Sequence, residues 1–411
     1  MTAASATAAS ATGAGAGALR SYRALPPLPR LLIVTQLAFN VGFFAVLPPL
    51  ADHLSGSLGL AGWLVGLVLG LRTFSQQGLF VVGGALADRW GPRPVVLAGC
   101  VLRVAGFVWL GFAATTWAVI GAVLLVGFAA ALFSPAVETE IARQAVRHEE
   151  ATGVHRTRTL ALFSAGGQAG ALIGPVLGSL LLLGGFRTAC LAGAGVFLLV
   201  LAAHARLMPR GTPGRSAAAE PTDKALRALL DRRFLTLAAA YATYLLAYNQ
   251  LYLALPAELD RALGSQLLLG WLFALSSALV VFGQVPLARF ASARLGHAAL
   301  VRWGLGLITA GFAATGVLLP VGGAAPAVVF VVLLTLGQML VVPATRAWLP
   351  ELVDDRRLGL FTGALSSLSG AVVLLGGAPA GALLESGGAL PWLALAAVPV
   401  VGVLLVPRAT P

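Results

Sequence analysis

Charged side chains are scarce in this chain, so the few that interrupt its apolar runs are the first places where chemistry could occur. Asp88 closes the apolar run that begins near Gly62, within the stretch Gly83-Gly-Ala-Leu-Ala-Asp-Arg-Trp-Gly-Pro-Arg-Pro94. A carboxylate at the C-terminal end of a helix meets the negative end of the helix dipole, which is unfavourable unless a dedicated partner offsets it. Arg89 and Arg93 can supply charge-assisted contacts, and Glu138 or Glu140 would compete for them. Gly83 and Gly84 leave the last helical turn bare, which suits close backbone approach by a neighbour. Gly91, Pro92 and Pro94 then impose a tight turn.

Two arginines, Arg72 and Arg103, stand inside apolar runs, where a charge is costly and usually faces a cavity or a partner. Arg72 precedes Asp88 by sixteen residues, roughly 24 Å along a helix. Ser75 and Gln76 follow it at helical spacing and extend a polar strip, although an arginine at that depth also has the option of snorkelling outward. Tyr241, Tyr244, Tyr248 and Tyr252 are spaced three, four and four apart, so they share one helix face with Asn249 and Gln250 beside them. Such a stripe serves either as the wall of a binding cavity or as packing and an interfacial belt. Asn40, Gln168 and Gln338 are further polar candidates for a cavity. Together these groups suit the binding of a small molecule; they form no catalytic or metal-ligating set, and no cofactor or enzymatic activity is expected.

The elements that must position these groups follow from composition. With 58% hydrophobic residues, 10% charged residues and a mean hydropathy of +0.91, the 411 residues could not cover a soluble surface with charge. A polytopic membrane protein is expected. Apolar runs come at about 31–50, 62–86, 94–114, 117–138, 159–183, 187–207, 234–256, 266–288, 298–319, 326–348, 360–384 and 389–406, each near the roughly 20 residues that span a bilayer. Twelve spans place both termini on one side. If that side is the cytoplasm, the tail and inside loops hold 23 of the 27 Arg and Lys residues, as the positive-inside rule requires. The net charge of +12 therefore needs no nucleic-acid partner. Cys100 and Cys190 both fall within apolar runs, so neither a disulfide framework nor a cysteine metal site is indicated. The domain plan is a disordered cytoplasmic tail over 1–30, a six-helix bundle over 31–207, a cytoplasmic linker over 208–233 and a second bundle over 234–407. Leu226, Leu229 and Leu230 give that linker a helix lying on the membrane surface. The loop Pro286-Leu-Ala-Arg-Phe-Ala-Ser-Ala-Arg-Leu-Gly296 echoes the Asp88 loop, with Arg289 where Asp88 stands, as a duplicated six-helix unit would leave it.

Gly84, Leu86, Ala87, Asp88, Arg89, Gly91 and Arg93 resemble motif A of the major facilitator superfamily, Gly-x-Leu-Ala-Asp-Arg-x-Gly-x-Arg, and lie where that family carries it. Gly170, Gly174, Pro175 and Gly178 resemble its motif C, associated with antiporters, although glycines four apart also serve plain helix packing. Residues 67 to 107 are more narrowly similar to the MdtH-type drug-efflux proteins. The resemblance implies an all-α membrane protein of twelve helices in two pseudo-symmetric six-helix bundles. It implies a secondary transporter in a bacterial plasma membrane, monomeric, exporting small amphipathic compounds in exchange for protons. It further implies that Asp88 latches the cytoplasmic ends of the halves onto the start of span eleven, with Gly84, Arg89, Gly91, Arg93 and Glu138 around it. The same fold would serve a carrier for one metabolite, in either direction; a non-transporting sensor or scaffold is the alternative of another class. Nucleotide-driven pumping is disfavoured by the absence of a P-loop pattern. Two departures stand out: span four lacks an embedded arginine between Val119 and Val137, and the five histidines lie in loops or at span ends, so no coupling residue is legible.

Overall fold

The computed structural model describes residues 21–209, 229–352 and 358–407, apart from the side chains of Asp88, Arg289, Leu358 and Gly359. The linker helix expected from Asp223 and most of the N-terminal tail lie outside the described residues, as does the Asp88 side chain.

Among the described residues all regular structure is helical. In chain order the long helices are α1 (Pro27–Val46), α2 (Gly62–Thr73, continued beyond a π-helical turn at Phe74–Gly78 by Phe80–Trp90), α3 (Pro92–Phe112), α4 (Thr116–Thr152), α5 (Arg156–Leu181), α6 (Phe186–Leu207), α7 (Arg232–Leu263), α8 (Leu267–Ser292), α9 (His297–Leu318), α10 (Ala325–Leu352), α11 (Leu358–Glu385) and α12 (Leu390–Leu405). Ten of these are long and apolar enough to cross a membrane, and α12 is apolar but short. In hydrocarbon each backbone N–H and C=O must be satisfied within its own helix, which is why long uninterrupted helices are the solution. α7 falls outside the ten because its tyrosines and amides lower its hydropathy. Leu237, Tyr244, Asn249, Gln250 and Leu259 are buried along it, so its walls are protein and not lipid.

The ends are set by local chemistry. Thr115 Oγ1 accepts from Ala118 N to cap α4, and the Asp231 carboxylate accepts from Arg233 N and Phe234 N to cap α7. Gly91, at φ +83°, makes the reversal between α2 and α3 that a side chain would strain. We call the face where α1 begins the entry face; successive helices alternate between it and the opposite face.

The packing repeats with a shift of six helices. α1 packs on α5 and α6, and α3 on α4 and α6; correspondingly α7 packs on α11 and α12, and α9 on α10 and α12. Two pseudo-symmetric six-helix bundles result. They meet along α2 with α11 and along α5 with α8, which are equivalent pairs under the same shift.

Glycine decides how closely these helices lie. A Cβ on Gly170 would stand 2.4 Å from the Leu37 carbonyl oxygen and one on Gly178 2.5 Å from that of Ala45. The glycine face of α5 is therefore seated on α1 within one bundle, while the π-helical turn and Pro175 interrupt the regular α-helical hydrogen bonding of the two helices that face the other bundle. Of the adjacent pair on α2, Gly83 is pressed against α4, its Cβ position 1.9 Å from the Ala131 carbonyl oxygen, whereas Gly84 has nothing within 4 Å.

Candidate functional site

A cavity of about 520 Å³ lies between the two bundles. α1 contributes Gln36, Asn40 and Phe44; α5 contributes Phe163, Ser164 and Gln168; α7, α8 and α10 contribute Tyr248, Phe273, Ser276 and Gln338. The lining runs from these mid-span residues to Glu138, Ile141, Leu160 and Arg346 nearer the entry-face ends of their helices, so the cavity is reached from that face. Aromatic rings and amides alternate around it, the mixture expected of a site that takes an amphipathic small molecule.

Beyond the cavity the bundles close. Ser277 Oγ donates to the Ala171 carbonyl across α5 and α8 at 2.9 Å, and Gly270 sits where a Cβ would meet Pro175 O at 2.7 Å. Thr73 Oγ1 on α2 donates to Asn249 Oδ1 on α7 at 3.2 Å, a polar bridge between bundles in the apolar interior. On the other flank Ser367 Oγ donates to the Gly78 carbonyl at 2.9 Å, the carbonyl being free for this because Gly78 ends the π-helical turn.

Of the residues singled out from sequence, Asn40, Gln168, Tyr248 and Gln338 line the cavity, as does Glu138. Tyr244 and Tyr252 are buried in a column of rings that continues from Tyr241 through Tyr248 to Phe273, with centroids 5.2 to 6.3 Å apart. Tyr244 and Asn249 are thus buried behind the wall, and Tyr241, half-buried, begins the column. Arg72 does not snorkel: it is buried, stands 4.5 Å over the Phe43 ring, and its Nη2 donates to Gln76 Oε1 at 2.5 Å. Arg103 is enclosed in the first bundle, within 4.8 to 5.8 Å of the rings of Phe39, Phe43, Phe107 and Phe197, with Nη1 donating to the Val126 carbonyl at 2.8 Å. Aromatic faces in place of a carboxylate hold this cation. Its hydrogen bond spans α3 and α4, the helix that has no arginine of its own between Val119 and Val137.

The motif A residues divide. Arg93 Nη2 donates to the Ala205 carbonyl at 2.7 Å and so ties the start of α3 to the end of α6, whereas Arg89 is exposed. Glu138 has no hydrogen bond or ion pair among the described residues and turns to the cavity, while Glu140 is buried and accepts from Gln144 Nε2 at 2.7 Å.

The profile of the Major Facilitator Superfamily matches residues 31–377. The chain belongs to the major facilitator superfamily. It is 36% identical over 381 residues to a protein of Mycobacterium tuberculosis named as an uncharacterized MFS-type transporter, covering 90% of this chain and 89% of that one. It is 32% identical over 378 residues to the multidrug resistance protein MdtH of an Enterobacter strain, covering 89% and 90% respectively, and 30% identical over 375 residues to MdtH of Escherichia coli, covering 89% of each. In shape it is similar to a crystal structure of the peptide transporter POT with sulfate (TM-score 0.75, 16% identity, 92% and 93% covered) and to the nucleoside transporter NupG (0.74, 16%, 93% and 98%). At those identities the likeness speaks to the fold alone. This multi-pass membrane protein is therefore a transporter and not an enzyme.

For a major facilitator transporter two groups escaped the sequence reading. Arg346 lines the cavity from α10, on the helix equivalent to the one that carries Glu138. His204 stands in the last turn of α6, yet is fully buried, hydrogen-bonded at 2.9 Å between Nε2 and Thr35 Oγ1 and set edge-on to Phe133. Position near a span end gave no hint of that burial, because the partner, Thr35, comes from α1 and is far away in sequence.

Proposed function

We propose that the chain exports small amphipathic compounds from the cytoplasm by alternating access, in exchange for protons. The observation that carries this reading is the cavity itself, with walls from both bundles, an aromatic and amide lining, and closure beyond it on one face. The entry face is the cytoplasmic one in this account, since the loops and tail on that side hold 23 of the 27 basic residues; both termini then lie in the cytoplasm. Relatives named as multidrug resistance proteins favour a range of substrates over one metabolite. Glu138 is the carboxylate among the lining residues, so it is the group in position to exchange a proton or to meet a cationic substrate. Asp88 acts as the latch of the other state, its charge placed on the N-terminus of α11, where unpaired N–H groups make an anion site. The molecule works as a monomer, as bundles over 31–207 and 234–407 joined by a cytoplasmic linker.

Accumulation of fluorescent amphipaths in cells with and without the protein, repeated with a protonophore, tests this. Lower accumulation that the protonophore abolishes is expected; unchanged accumulation across a broad panel would contradict it.

A further inference from the structure

The opposite face carries a closure that motif A does not describe. Glu385 is the last residue of α11, and its Oε1 accepts a hydrogen bond from Gly62 N, the first residue of α2, at 2.5 Å. The two residues belong to different bundles. A carboxylate at the C-terminal end of a helix is disfavoured by its own dipole, whereas the N-terminus of the next helix offers both a bare donor and positive partial charge. α11 therefore places its acid where α2 can take it up.

The backbone between them is shaped for this contact. A Cβ on Gly62 would stand 2.7 Å from the Gly381 carbonyl oxygen, and one on Gly66 1.9 Å from that of Gly377. On the facing helix a Cβ on Gly381 would stand 1.9 Å from the Gly62 carbonyl oxygen. No side chain fits between α2 and α11 here, so the helix ends meet only when the bundles are shut on this face. Asp52 adds a second tie, accepting from Gln266 Nε2 at 2.9 Å across the same seam.

We infer that Glu385 is a positioning residue for transport: it holds the opposite face closed by capping α2, and it must let go of Gly62 for the cavity to open there. The arrangement inverts the one proposed for Asp88. α2 and α11 run antiparallel, with Asp88 in the last turn of one and Glu385 at the end of the other, one at each face. This inference rests on the two-state exchange proposed above, but its test needs no substrate.

Spin labels in the full chain, reconstituted in lipid, provide the test. Cys100 and Cys190 are first replaced by alanine; one pair is then Ser57→Cys with Leu263→Cys at the opposite face, and the other Glu150→Cys with Ser292→Cys at the entry face. Glu385→Gln keeps the shape but removes the charge. The ratio of open to closed opposite faces should rise about tenfold, the equivalent of one charge-assisted hydrogen bond. The opposite-face distance should lengthen while the entry-face distance shortens; general loosening would broaden both. Gly62→Ala, which leaves Glu385 intact but drives a Cβ into Gly381, should give the same paired shift. Unchanged distances in both variants, or lengthening at both faces together, would overturn the inference. Loss of export without either distance change would count against it in the same way, since Glu385 would then act elsewhere.

Discussion

The adjacent glycines Gly83 and Gly84 offer a matched pair in which one methyl group should be harmful and the other harmless. Converting either to alanine gains helix propensity, up to about 1 kcal/mol in a helix interior. For Gly84 nothing offsets that gain, since its Cβ position has no atom within 4 Å. For Gly83 the new Cβ would lie 1.9 Å from the Ala131 carbonyl oxygen and 2.8 Å from its carbon, distances that backbone atoms cannot yield without moving. α2 and α4 must part by about 1 Å, and overpacking of that kind costs about 1–3 kcal/mol. The two variants should therefore differ by the overpacking alone, with Gly84→Ala equal to or slightly more stable than the parent and Gly83→Ala less stable. Thermal inactivation of the detergent-solubilised protein, compared at one heating rate, reads the difference. Inactivation of Gly84→Ala at the same temperature as Gly83→Ala, or below it, would refute this difference between the two positions.

Other variants probe the cavity and its latch. Tyr248→Ala should change transport of aromatic compounds by roughly tenfold, since one lost apolar contact is worth that much discrimination; Tyr244→Ala, behind the wall, should instead cost about 3 kcal/mol of stability and leave the substrate profile unchanged. Glu138→Gln should leave substrate binding to the purified protein measurable while abolishing the dependence of export on the proton gradient; export that still follows the gradient would exclude Glu138 as the coupling group. Asp88→Asn should insert normally yet transport poorly, with its population shifted toward the entry-open state, and unchanged distances between cytoplasmic labels on the two bundles would sink the latch.

The spans were legible because a bilayer imposes a length and an apolarity that few other environments require. α7 shows the limit of that logic: its tyrosine face breaks the hydropathy that marks a span, yet the same residues mark it as a helix facing protein. Periodicity put Tyr241, Tyr244, Tyr248 and Tyr252 on one face, but which of them reaches the cavity depends on how α8 and α10 approach, and of the four it is Tyr248 that lines it. Arg103 was legible as a buried charge but not as one held by four aromatic rings, because Phe39, Phe43, Phe107 and Phe197 come from three helices whose register no local pattern states. Glu385 was readable only as an acid near a span end. Its partner is a backbone N–H from the other bundle, and backbone donors leave no residue type to search for.

The account's central claim is that one cavity serves both faces in turn, and cysteine accessibility measures it most directly. Ser164→Cys on α5 and Gln338→Cys on α10 place a thiol on each wall, and a membrane-impermeant thiol reagent can be applied to sealed vesicles from either side. Both thiols should label from the cytoplasmic side at rest, and both should become reactive from the other side when an exported substrate and a proton gradient are supplied. If neither thiol ever labels from that other side while export proceeds, alternating access around this cavity is contradicted.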